Sequence, residues 1–75
     1  MLQSEFLNEL REILQRDESI APDMELRDMA EWDSLAAMSC MAYFAKHFNV
    51  KTKIAQYKKL RAVSDLIALA GGAIT

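Results

Sequence analysis

Glu31-Trp32-Asp33-Ser34-Leu35 sits just short of the middle of this 75-residue chain, and its reading decides the fold. Behind it, Ser34 to Ala45 runs for twelve residues without a charge. Asp33 is a residue type that caps helix N-termini, so the pattern predicts a helix from about Ser34 to His47. At about 100° per residue, Ala37, Cys40, Met41, Phe44 and Phe48 share one face and form the expected buried stripe. Leu35, Met38, Ser39, Ala42, Ala45 and Lys46 fall on a second face, next to Ser34. That second face is apolar without an internal reason to be so. The Ser34 hydroxyl therefore faces water on the first turn of a helix, beside an acidic cap.

On the N-terminal side, Phe6, Leu10, Ile13 and Leu14 follow helical spacing, with Glu5, Glu9, Arg11 and Glu12 on other faces. This predicts an amphipathic helix over roughly residues 3–16, with Ser4 as its N-cap and Glu5 suited to the positive end of its dipole. Residues 17–32 lack that periodicity. Pro22 pushes Ala21 away from the α region. So long a connection in a small domain implies packed structure of its own or a functional role, and Ile20, Met24, Leu26 and Met29 are the residues expected to pin it. On the C-terminal side, Lys51 to Lys59 is a short basic segment around Ile54, Ala55 and Tyr57, read as a short helix or turn. Val63, Leu66, Ile67 and Ala70 mark a last helix, which Gly71-Gly72 stops. No strand alternation and no internal repeat is visible. The fold class is all-α: one domain over residues 1–75, a small antiparallel bundle of three main helices plus one short helix, with a long first loop.

Composition narrows the function. The net charge of −2 is small, but its distribution is uneven. Residues 1–33 hold ten acidic and three basic side chains, a net of −7; residues 34–75 hold one acid and six bases, a net of +5. Two charged ends favour oriented docking over general nucleic-acid binding. A single cysteine, Cys40, excludes an internal disulfide framework and fits a reducing compartment. It is expected to be buried, without a redox role. Met1-Leu2-Gln3-Ser4-Glu5 has neither the basic region nor the apolar core of a signal peptide. No apolar run reaches the roughly 20 residues of a membrane span. A cytoplasmic protein that does not insert into membranes is the expectation.

Ser34 is not set up as a catalytic nucleophile. The one histidine, His47, lies more than three helical turns further along the same helix, which excludes a serine triad. No metal-ligating cluster and no acid–base pair is visible. A phosphodiester on Ser34 would instead be tolerated by the unpaired N–H groups and dipole of a helix N-terminus, with Asp33 working against it electrostatically. Asp33 can cap the helix, and its carboxylate suits Mg²⁺ during an enzymatic transfer.

Trp32-Asp33-Ser34-Leu35, in a chain of this length, after one amphipathic helix and a long loop, resembles the attachment site of acyl carrier proteins. The resemblance spans nearly the whole chain, with Phe48, Ile54, Leu60 and Val63 at apolar positions that family uses. It implies that Ser34 carries 4'-phosphopantetheine covalently, and that the arm holds acyl intermediates as thioesters. The protein would then catalyse nothing itself. Its partners would be a phosphopantetheinyl transferase and enzymes that load, extend and transfer the acyl group, acting on a monomeric carrier. Leu35, Met38, Ser39, Ala42, Ala45 and Lys46 would form the partner-binding face. Met41, Phe44, Ile54, Leu60 and Val63 would line a pocket for an inserted acyl chain. Carriers of fatty-acid synthesis usually place acids on the helix after the serine. Here that face is uncharged up to Lys46, and Lys51, Lys53, Lys58 and Lys59 follow, which suggests a specialised acyl, lipid or polyketide pathway. Two alternatives stand beside this reading: a helical protein-interaction module with no prosthetic group, and a peptidyl or aminoacyl carrier.

Overall fold

The computed structural model describes residues 1–75, and its elements follow from local capping chemistry. Helix α1 runs from Gln3 to Leu14. Its N-cap is Leu2, two residues before the Ser4 cap expected from sequence. The Glu5 carboxylate accepts the Leu2 N–H at 3.0 Å, so an acid inside the first turn closes the helix start and Ser4 lies within the helix. α1 also ends earlier than expected. Gln15 adopts the left-handed conformation (φ 54°), and the N–H groups of Gln15 and Arg16 fold back onto the carbonyls of Glu12 and Arg11.

The long first connection is pinned as expected. Ile20, Leu26 and Met29 are buried and Met24 is half-buried. A 3-10 turn, Leu26–Asp28, forms within it. Sequence gave no sign of how its backbone is satisfied. Leu26 N–H donates to the Arg61 carbonyl and Val63 N–H to the Met24 carbonyl, each at 2.9 Å, around an isolated antiparallel pairing of Glu25 with Ala62. Ser64 N–H adds a bond to the Pro22 carbonyl at 2.8 Å. The loop is thereby stitched to the start of the last helix.

Helix α2, Ser34–Phe48, is the longest element and ends on Asn49 in the left-handed conformation. α3 spans Ile54–Lys58 and α4 spans Val63–Leu69. α3 and α4 repeat the device of α1: Gln56 accepts the Lys53 N–H at 2.7 Å, and Asp65 accepts the Ala62 N–H at 3.0 Å. Beyond α4, Gly71 takes φ 62°, the conformation that favours glycine at a helix stop.

Phe44 of α2 is the centre of the core. Phe6 of α1 meets it edge-on at 5.8 Å, Phe48 at 5.3 Å and Tyr57 of α3 at 6.3 Å, all near-perpendicular arrangements that suit the ring quadrupoles. Leu10, Leu26, Val63 and Leu66 fill the space around these rings. The result is the all-α bundle read from the sequence, with α2 held between α1 on one side and α3 on the other.

Candidate functional site at the start of α2

Asp33 is the N-cap of α2. Its backbone is extended, and its side chain accepts the Ala36 N–H at 2.8 Å. A cap that bonds three residues ahead fixes the first turn and leaves Ser34, the first helical residue, exposed at the rim. No other acid lies in the first turn of α2.

A cavity of about 190 Å³ opens beside Ser34. Trp32 and Asp33 border it from the loop, Ser34 and Ala37 from α2, and Ile54, Tyr57 and Lys58 from α3. Ala37 and Tyr57 are buried, whereas Trp32 and Ile54 are half-buried. The Tyr57 hydroxyl is engaged with Thr52 Oγ1 at 2.7 Å, so Tyr57 presents its ring.

On the other flank of the same helix start lies a shallow groove of about 360 Å³. Ile13 and Leu14 of α1 and Leu35, Ala36 and Ser39 of α2 form its walls, with Glu31 and Asp33 at the edge. Glu31 is fixed there by Arg16, whose guanidinium lies 2.9 Å from its carboxylate. A hydrogen bond from its own backbone, then Arg16, holds the Glu31 carboxyl below the usual carboxylate range.

The residues expected on the second face of α2 are all exposed: Leu35, Met38, Ser39, Ala42, Ala45 and Lys46. Leu35 (70%) and Met38 (53%) are the large apolar side chains most open to solvent on this helix. The five residues expected around an acyl chain divide. Phe44 and Val63 are fully buried in the core, Met41 and Leu60 are half-buried elsewhere, and only Ile54 borders the cavity beside Ser34. Trp32 and Ala37 are near Ser34 in sequence, but that Tyr57 and Lys58 join them around one cavity was not legible. Their meeting depends on how α3 docks against α2, which no local pattern encodes. His47 stacks on Tyr43 at 4.2 Å, on the order of 20 Å along the axis from Ser34 at 1.5 Å per residue.

A model of the family described as "phosphopantetheine attachment site" matches residues 4–70, and the chain belongs to that family. No curated protein and no solved structure matches it. The family attaches a 4'-phosphopantetheine prosthetic group. The residues present fit such a group: an exposed hydroxyl at a helix N-terminus, a cavity opening directly beside it, and a lysine on that cavity. Carrier domains of this type are worked on by transferases and acyl-handling enzymes. No helix is long and apolar enough to cross a membrane.

Proposed function

We propose that residues 1–75 form one carrier domain and that Ser34 is its attachment point. The observation that carries this reading is the position of Ser34: exposed, first in α2, behind a formed Asp33 cap and on the rim of a cavity. In the transfer, Ser34 Oγ attacks the β-phosphorus of coenzyme A. The P–O bond of the diphosphate breaks, 3',5'-ADP leaves with the electron pair, and the serine proton passes to a base of the transferase. The Asp33 cap fixes the first turn that presents Ser34, and its second carboxylate oxygen is free to share Mg²⁺ with the transferase. The arm, once attached, supplies a thiol that carries an acyl group as a thioester. The chain's own part is to hold the attachment point rigid at a helix end and to present α2 to partner enzymes.

The exposed apolar face of Leu35, Met38, Ala42 and Ala45 supports docking by partners that do not depend on an acidic helix. We therefore assign the protein to a specialised acyl, lipid or polyketide pathway, as a non-catalytic, monomeric, cytoplasmic carrier. Incubation with coenzyme A, Mg²⁺ and a broad-specificity transferase should add the mass of one phosphopantetheine. Ser34→Ala should block the gain and leave the helical circular dichroism intact. An unchanged wild-type mass with several transferases would count against the reading, and a mass gain in the Ala variant would place the site elsewhere.

A further inference from the structure

Every lysine of the chain, Lys46, Lys51, Lys53, Lys58 and Lys59, falls in one short stretch that ends α2 and spans α3, and all are exposed. None takes part in an ion pair, because the four ion pairs use Arg16, Arg27 and Arg61. No local acid is at hand either, since residues 34–64 contain no Asp or Glu. The acids at the edge of the stretch are engaged: Asp65 accepts the N–H groups of Arg61 and Ala62, and Glu25 pairs with Arg61 and Arg27. Beside α3 the basic surface has a hollow of about 340 Å³, lined by Glu25, Arg27, Leu60 and Arg61. Two guanidinium groups share Glu25 Oε1 there, Arg61 Nε at 2.9 Å and Arg27 Nη2 at 3.7 Å. Both side chains are largely exposed, at 80% for Arg27 and 81% for Arg61, so most of their N–H donors stay open to a second carboxylate.

We propose that the lysines around α3, with the hollow between Arg27 and Arg61, dock a protein partner through a carboxylate-rich helix of that partner. That the partner is an acyl-handling enzyme rests on the carrier reading; the charge of its surface does not. Complementarity demands an anion, and the rest of the molecule selects which one. Single-stranded nucleic acid is gripped by stacking on exposed rings, and the one aromatic ring of α3, Tyr57, is buried. A bilayer surface needs apolar side chains exposed beside the lysines. The exposed large apolar side chains are Met1, Leu2, Leu35 and Met38, none of them in this stretch. A nucleic-acid duplex or a bilayer also spreads its negative field widely, and this molecule measures only 27 × 26 × 18 Å. Such a field would meet the first 33 residues, with their net of −7, as well as the lysines. A carboxylate-bearing helix is small enough to meet the basic side alone. Lys58 also borders the cavity beside Ser34, so a partner held here lies next to the attachment point.

The experiment titrates the full ¹⁵N-labelled chain with a synthetic helical peptide that carries glutamates at i, i+4 and i+7 on one face. Amide shifts should gather on residues 46–61 and on Arg27, and fade as salt rises past physiological ionic strength. The same peptide with lysine in place of each glutamate should leave the spectrum unchanged. The triple variant Lys51→Glu, Lys53→Glu, Lys59→Glu should bind the acidic peptide weaker by roughly tenfold or more, with its helical circular dichroism intact. Arginine at the same three positions should preserve binding. A peptide that shifts nothing in this stretch, or that binds the triple-Glu variant as well as the wild type, would overturn the docking surface. Tighter binding of a short DNA duplex or of phosphatidylserine vesicles than of the peptide would overturn the protein partner. Intact mass after incubation with coenzyme A, Mg²⁺ and a transferase separates this from the carrier reading. A wild type that binds the peptide but gains no arm would lose only the acyl-handling identity of its partner.

Discussion

At the level of single residues, Asp33 does two separable things. Its carboxylate accepts the Ala36 N–H at 2.8 Å, and it carries a charge next to Ser34. Asp33→Ala should lower stability by roughly 0.5–2 kcal/mol through loss of the cap. Asp33→Asn should keep most of that stability, because asparagine caps about as well as aspartate. If the carboxylate also assists Mg²⁺, both variants should be modified more slowly, with the deficit growing at low Mg²⁺. Denaturant melts read the first effect and transferase rates the second; a stable, fast-modified Asn variant would leave Asp33 with capping alone. Cys40 is the opposite case, a residue whose surroundings silence it. It is 1% exposed, and burial pushes its thiol up to about 12. The thiolate is the reactive form, so the folded protein should resist alkylation at pH 8 and react promptly once unfolded in urea. Mass spectrometry with and without urea tests this. Fast labelling of the folded chain would show that α2 opens far more readily than its packing implies.

Secondary-structure elements were legible mainly where chemistry is local. The Asp33 cap, the centre of the α2 stripe and the Gly71 stop depend on residues a few positions apart and were readable from sequence. Of the expected stripe, however, only Ala37, Cys40 and Phe44 are buried; Met41 and Phe48 are half-buried, and Ala36 is buried with them. The Ser4 cap failed because Glu5, one residue on, reaches the Leu2 N–H itself. The hidden features all join elements that are distant in sequence. The Glu25–Ala62 pairing is too short to leave an alternating pattern, and Lys58 reaches Ser34's cavity only through the docking of α3. These junctions are also where the acids are most perturbed. Glu25 is held below the usual range by its hydrogen bond to Arg61 and by nearby Arg27; Asp65 by the backbone N–H groups of Ala62 and Arg61; Glu31 by its own backbone and Arg16. For each, folding lowers the pKa, so in acid the unfolded chain binds more protons. The stabilisation is complete above the ordinary values of 4.5 for Glu and 3.8 for Asp, and it is lost as pH falls through the depressed values. Urea midpoints should therefore drop steadily below pH 4.5. Glu31→Gln should lower the midpoint at neutral pH and flatten the acid slope; a slope identical to wild type would mean that the tie to Arg16 contributes nothing.

Across the whole molecule, charge is sorted around α2. The first 33 residues, which build α1 and the loop, carry a net of −7, and the rest of the chain carries +5. α2 lies between these poles and exposes an uncharged face from Leu35 to Ala45, bordered by Glu31 and Asp33 at its start and by Lys46 at its end. A partner shaped for an acidic carrier helix presents basic residues to that face. Here they would find no carboxylates along most of α2 and would meet like charge at Lys46 and on α3. Generic fatty-acid synthesis enzymes should consequently turn over the loaded protein poorly, even when the arm is fully attached. Glutamate at Ser39 and Ala45 should improve them, because both positions are exposed and neither belongs to the core. Ser39 also borders the groove beside Glu31, so a carboxylate there extends an existing acidic edge. The gain should shrink as salt rises, since exposed charges are screened within about 8 Å at physiological ionic strength. Acyl-transfer rates of the wild-type and double-Glu proteins with one enzyme at two salt concentrations decide the matter. Efficient turnover of the wild type, or a gain that salt does not touch, would return the protein to housekeeping fatty-acid synthesis and leave the uncharged face of α2 without a role in partner choice.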